Sequence, residues 1–192
     1  MIKLIVGLGN PGPEYAKTRH NAGAWFVEEA ALQHRLTFHF EKRFHMSCAE
    51  QGSPQRKIFF AVPTTYMNES GLAVGSFAKF YQIRPEEILV VHDELDFPPG
   101  EVKLKIGGGH GGHNGLRDIL AHLGSPDFYR LRIGIGHPGH RDKVVGYVLS
   151  RPSADDSIDI ARSIDRALAI LPEILSGEVA KAMQDLHACP MR

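Results

Sequence analysis

Cysteine is scarce in this chain: Cys48 and Cys189 are its only two. Two thiols so far apart in sequence suggest neither a disulfide framework nor a cysteine-based zinc site, and both are expected to be ordinary reduced thiols. No apolar run approaches the roughly 18 consecutive residues of a membrane span. The opening Met1-Ile2-Lys3-Leu4-Ile5-Val6 leads straight into Gly9-Asn10-Pro11 rather than into a cleavable apolar signal, so the cytosol is the expected compartment. A charge excess is also missing: 22 Lys and Arg balance 22 Asp and Glu. Any nucleic acid must therefore be met by a local basic patch. No G-x-S-x-G elbow supports a serine nucleophile. No H-E-x-x-H or Cys/His pairing supports a metal, although His92, His110, His113 and His137 are conceivable ligands. Neither metal nor cofactor is expected.

What is present suits one globular domain over residues 1–192, with 43 % apolar residues to fill one core. Lys3 to Val6 is a β-branched run stopped by Gly7, which predicts a strand buried on both faces. Ile58 to Val62, Ile88 to His92, Val102 to Ile106 and Leu131 to Ile135 predict further strands, with a weaker one at His45 to Glu50. Helices are expected from Asn21, as N-cap, through Leu36, then at Gly71 to Tyr81, Leu116 to Leu123 and Val144 to Leu149. Ile158, Ala161, Ile164, Leu168, Leu171 and Leu175 mark an amphipathic helix that Pro172 would kink. Strands alternating with helices predict an α/β fold, a mixed and largely parallel sheet with helices on both faces in three layers.

Gly7-Leu8-Gly9-Asn10-Pro11-Gly12 fits the G-x-G-x-x-G of dinucleotide sites, but that motif needs a helix to open within the glycine turn. Pro11 and Pro13 restrict the backbone here, and the helix starts only near Asn21. A nucleotide-dependent oxidoreductase is therefore disfavoured. Gly107 to Gly115 is the most unusual segment, six glycines interrupted only by His110, His113 and Asn114. It is either a flexible connector or a loop that lets a ligand approach the backbone. His92-Asp93-Glu94-Leu95-Asp96 puts three carboxylates beyond a buried strand, where α/β folds build their sites. One of them can orient an imidazole. Asn10, Asn68 and Asn114 are common turn residues one by one, yet together can hold a peptide backbone and a carbonyl without adding charge. Lys103 and Lys105 share one strand face, as do Arg130 and Arg132, either as solvated faces or as a phosphate-binding patch.

These motifs, with Thr18-Arg19-His20-Asn21-Ala22-Gly23, Pro63-Thr64-Thr65-Tyr66-Met67-Asn68, Pro98-Pro99-Gly100 and Arg132-Ile133-Gly134-Ile135-Gly136-His137-Pro138, resemble the bacterial peptidyl-tRNA hydrolase family in order and spacing. The resemblance implies hydrolysis of the ester of peptidyl-tRNA, releasing peptide and recycling tRNA from translation; the sequence does not fix the oligomeric state, and a monomer is expected. It implies His20 as general base oriented by Asp93, with Asn10, Tyr15, Tyr66, Met67, Asn68, His113 and Asn114 around the substrate. Asn10 would distinguish blocked from free aminoacyl-tRNA, and Lys103, Lys105 and Arg132 would meet tRNA phosphate. A noncatalytic tRNA-binding protein is the rival, and it would have no need of His20 and Asp93.

Overall fold

A computed structural model describes residues 1–188, and Cys189 lies outside the described residues. Seven strands form one mixed sheet: β1 (Leu4–Gly7), β2 (His39–Glu41), β3 (Met46–Ser53), β4 (Arg56–Pro63), β5 (Ile88–Glu94), β6 (Val102–Ile106) and β7 (Tyr129–Gly134). Their order is β2-β3-β4-β1-β5-β7-β6. The four central strands β4, β1, β5 and β7 run parallel, and antiparallel neighbours close both edges. The helices are α1 (Ala22–Gln33), α2 (Ser70–Phe80), α3 (Asn114–Leu123), α4 (Val144–Val148), α5 (Ala154–Ala169), α6 (Leu171–Ser176) and α7 (Val179–Ala188).

Side chains alternate across a strand, so a central parallel strand feeds two cores. Ile5 of β1 joins Phe26, Val27 and Ala30 of α1 and Ile160 and Ile164 of α5 on one face. Leu4 and Val6 join Val74 and Phe77 of α2 and Leu116 and Ile119 of α3 on the other. The expected three-layer α/β architecture is the observed one. The glycine fingerprint has a packing role here. A Cβ on Gly7 would lie 2.2 Å from the Gly23 carbonyl oxygen, and one on Gly23 would lie 2.1 Å from that of Val91. Bare glycines let α1 descend onto the ends of β1 and β5.

Three local expectations are corrected. Asn21 does not cap α1 with its side chain; it ends a 3-10 turn (Arg19–Asn21), and its amide is taken up by Asn10. Helix α1 ends at Gln33 rather than Leu36, because Arg35 turns into the left-handed region at φ 56°. The long amphipathic helix breaks instead of bending: α5 stops before Ile170 and α6 restarts with Pro172 in its first turn. There the missing N–H costs nothing, whereas inside a helix the ring would clash. Strand β2 and helix α7 were not anticipated.

Candidate active site

The parallel strands bring the C-terminal ends of β1 and β5 side by side, with Gly7 paired to Val91. Beyond them Leu8 donates to the Val91 carbonyl at 3.0 Å and accepts from Ala24 at 3.1 Å, which fixes the start of α1 against β5. This contact brings His20, in the turn leading into α1, against Asp93, near the end of β5. His20 Nδ1 lies 3.0 and 2.9 Å from the two carboxylate oxygens of Asp93. Both residues are buried, at 8 % and 4 % exposure.

Asp93 has a second imidazole partner, His113, whose Nε2 lies 2.8 Å from Oδ1. His113 is the N-cap of α3, and its Nδ1 accepts from the backbone N–H groups of Gly115 and Leu116 at 3.1 and 3.3 Å. Nδ1 is thus bare, so the His113 proton sits on Nε2 and is donated to Asp93. His20 Nδ1–H supplies the other donor, and His20 Nε2 remains for the cleft. Burial works against an ionised Asp93, but His20 and His113 outweigh it and hold its pKa well below the usual carboxylate range. Burial likewise opposes charge on His20; attraction to Asp93 and the bond to it prevail, and the His20 pKa is raised. His92 differs: burial, then His113, pushes its pKa down to about 3, and its Nδ1 bonds the Asp93 carbonyl at 2.7 Å. It is a neutral packing partner beneath His113.

His20, Asp93 and His113 each place a ligand atom within 4.8 Å of the others, close enough to hold a metal ion. The proton inventory fits hydrogen bonding instead, because a ligating nitrogen must be bare and His113 Nε2 carries its proton. Of the other three histidines considered as ligands, none joins this group among the described residues.

These side chains line a cleft of about 660 Å³ together with Asn10, Tyr15, Met67, Asn68, Asn114, Lys105 and Arg132. Asn10 is held on three sides. Asn21 Oδ1 accepts from its N–H and Asn21 Nδ2 donates to its carbonyl, both at 2.9 Å. Its own Oδ1 accepts from the Met67 N–H at 2.7 Å. Among the described residues nothing takes up its amide N–H groups, which are left to a ligand. Asn68 is exposed in the turn before α2, and Asn114 opens α3 with its Oδ1 accepting from Arg117 at 3.0 Å. Tyr66 sits edge-on to Tyr15 with 6.3 Å between ring centroids. Helices α2 and α3 are tied together: Asp118 of α3 accepts from the Gly71 and Leu72 N–H groups at 2.7 and 3.3 Å, capping α2 with a carboxylate.

On the other side the register of β6 and β7 sets Lys105 opposite Arg130 and Lys103 opposite Arg132. Like charges facing each other are unfavourable without an anion between them. Burial, then Arg132 and Arg130, lowers the pKa of Lys105. The nearest carboxylate to Arg132 is Glu94, at 4.0 Å. Lys103 is turned to Glu101, 2.8 Å away, and does not line the cleft.

Sequence reasoning did not foresee the second imidazole on Asp93, the service of Asn21 to Asn10, or the apolar wall of Val144, Val145, Val148 and Leu149. Asn21 and Asn10 carried a usable signal, two asparagines flanking one Gly/Pro turn. The other two depend on how α3 and α4 fold over the sheet, which spacing does not reveal.

A parallel α/β sheet with a carboxylate-oriented imidazole at its strand ends and uncharged amide donors around it defines an enzyme of the hydrolase class. Residues 4–192 match the model of the Peptidyl-tRNA hydrolase family. The chain is 55 % identical over 187 residues to the peptidyl-tRNA hydrolase of Coxiella burnetii, covering 97 % of this chain and 98 % of that one. It is 53 % identical to that of Neisseria meningitidis, covering 97 % of each. The crystal structure of the Acinetobacter baumannii peptidyl-tRNA hydrolase superposes with a TM-score of 0.95 at 49 % identity, over 100 % of this chain and 97 % of that one. A peptidyl-tRNA hydrolase solved with N-propanol gives 0.94 at 50 %, over 97 % and 95 %. The chain belongs to the peptidyl-tRNA hydrolase family.

Proposed function

We propose that the protein hydrolyses the ester joining a peptide to the terminal ribose of tRNA, acting as a single-domain monomer in the cytosol. The observation that carries this reading is the His20–Asp93 pair, which commits Nδ1 of His20 and leaves Nε2 facing the cleft. His20 Nε2 takes a proton from water as the water oxygen attacks the ester carbonyl. Asp93 orients the ring and stabilises the imidazolium. The resulting oxyanion and the peptide backbone are met by the amides of Asn10, Asn68 and Asn114, donors already in place before the charge develops. When the tetrahedral intermediate collapses, the imidazolium returns its proton to the departing ribose oxygen. An ester carbonyl is less stabilised by resonance than an amide and expels an alkoxide more readily than an amide expels its nitrogen anion, so no covalent enzyme intermediate is needed.

Tyr15, Tyr66 and Met67 form the floor and rim beside the peptide, and His113 holds Asp93 beneath it. Lys105 and Arg132, with Lys103 at the margin, receive tRNA phosphate. An N-acylated amino group fits the Asn10 amide pocket without bringing in a charge, which favours blocked over free aminoacyl-tRNA. The test compares hydrolysis of N-acetyl-aminoacyl-tRNA with that of the unblocked ester, for wild type and His20→Ala without added metal. Rapid cleavage of only the blocked ester, lost in the variant, is expected. A folded wild type that binds tRNA but cleaves neither would make the protein a tRNA-binding module instead.

A further inference from the structure

We propose that Arg130 is a positioning residue that clamps the glycine loop, and through it His113 and Asp93, against the catalytic base. The inference rests on the hydrolytic reading of the site. Arg130 is the largest fully buried side chain, at 1 % exposure. A guanidinium out of water needs its donors satisfied. Its two terminal nitrogens donate to the carbonyls of Gly109 and Gly108, while Nε has no acceptor among the described residues, and the guanidinium lies over the Phe128 ring, 4.6 Å from the centroid. Among the described residues it forms no salt bridge.

Position alone would assign Arg130 to the phosphate patch, since it faces Lys105 across the β6–β7 pair. Orientation separates them. Lys105 and Arg132 keep part of their surface in solvent, whereas Arg130, although it lines the cleft wall, is buried and has both terminal nitrogens taken up by main-chain oxygens of the loop. The loop needs such an anchor. Gly107, Gly108, Gly111 and Gly112 all have positive φ, a conformation that glycine takes without strain, and none has a side chain to pack. Only His110, Gly111 and Gly112 separate Gly109 from His113, whose Nε2 reaches Asp93. The planar fork of arginine meets two successive carbonyls at once; a lysine ammonium is a point charge and cannot reproduce that pair.

The test uses two substrates, N-acetyl-aminoacyl-tRNA and the same ester on a CCA trinucleotide lacking the acceptor stem, under single-turnover conditions. Arg130→Lys and Arg130→Gln are expected to slow cleavage of both by the same factor, about ten- to a hundredfold. The salt dependence of tRNA binding stays that of wild type. A loss confined to full-length tRNA, with a shallower salt dependence, would make Arg130 a phosphate contact, and no loss on either would remove it from the mechanism; both outcomes overturn the proposal. Nuclear magnetic resonance of the wild type decides the matter if the variants fail to fold or the short ester is not cleaved. The Arg130 terminal N–H signals should be resolved and slow to exchange with water. Averaged, fast-exchanging signals like those of exposed arginines would overturn the clamp. A wild type that cleaves neither ester would refute the hydrolytic reading, while these signals still report on the clamp.

Discussion

The side chain of Asn21 closes both main-chain polar groups of Asn10, one bond each way at 2.9 Å, as a neighbouring strand would. A tight Gly/Pro turn has no partner strand at this point, so a side-chain amide supplies the pairing. Asn10 is thereby held with its own amide turned to the cleft.

Asn21→Ala should therefore cost more catalysis than its distance from the scissile bond suggests. Two lost hydrogen bonds are worth about 1–3 kcal/mol of stability, and cleavage efficiency should fall roughly tenfold as Asn10 loosens. Thermal unfolding and kcat/KM on N-acetyl-aminoacyl-tRNA, measured side by side, check both. Unchanged kinetics would mean that Met67 alone positions Asn10.

His20→Ala should lower turnover by about 10²- to 10⁴-fold, the usual range for a general base, and leave tRNA affinity nearly intact. Filter binding of tRNA beside single-turnover cleavage separates the two. Equal loss of both would give His20 a binding role.

The acid limb of the pH profile follows from the raised pKa of His20. The base works deprotonated, so activity should rise with pH through a value above the ordinary imidazole value of 6.5. Asp93→Asn removes the group that raises it, and the limb should move to lower pH while the maximum falls. Stability runs the opposite way. A folded pKa above the unfolded one contributes stability that is fully present below 6.5 and is lost as pH rises through the folded value. Denaturant midpoints across that window should therefore decline while activity climbs, and a limb that Asp93→Asn leaves in place would break the assignment.

Lys105→Ala should weaken tRNA binding and reduce its salt slope by about 1, as for one lost phosphate contact. Lys103→Ala should do less, because Glu101 already holds that ammonium at 2.8 Å. Titrations at several salt concentrations give the order, and a larger effect from Lys103 would reverse the patch geometry.

Gly23→Ala tests the packing that brings base and carboxylate together. Its added methyl would meet the Val91 carbonyl oxygen at 2.1 Å, a main-chain atom that cannot rotate away. A loss of at least about 2 kcal/mol in chemical denaturation is expected. A neutral outcome would show that α1 can lift from β5 without penalty.

The layered architecture was legible because β1 and the first half of β5 are short and apolar on both faces, and periodic helical stretches divide the strands. Strand β2 escaped because His39-Phe40-Glu41 is short and exposed, an edge that exists only by pairing with β3. Helix α7 escaped although Val179, Ala182 and Leu186 share its buried face, since no cap announces it after Gly177. In the site, composition and position exposed the carboxylates, the asparagines and the loop, but selecting His20 among 11 histidines required the family motif. The proton on His113 Nε2 was beyond any sequence, because it is set by two backbone N–H groups at the start of α3. The dual character of the basic strands was hidden too: alternation puts Arg130 and Arg132 on one face and does not tell which of them turns inward.

The Asp118 carboxylate that caps α2 from within α3 has a mechanical consequence. Asn68 stands at the entrance to α2 and Asn114 at the entrance to α3, so the two amides ride on one rigid unit, with Gly71 packed too closely on Asp118 for sliding. The cleft then has a fixed jaw made of these two helices. The short α4, with its exposed Val145 and Leu149, forms a further wall that no comparable carboxylate brace joins to this unit among the described residues; it is fastened instead by Arg19, which donates to the Tyr147 and Ser150 carbonyls at 3.3 and 3.4 Å.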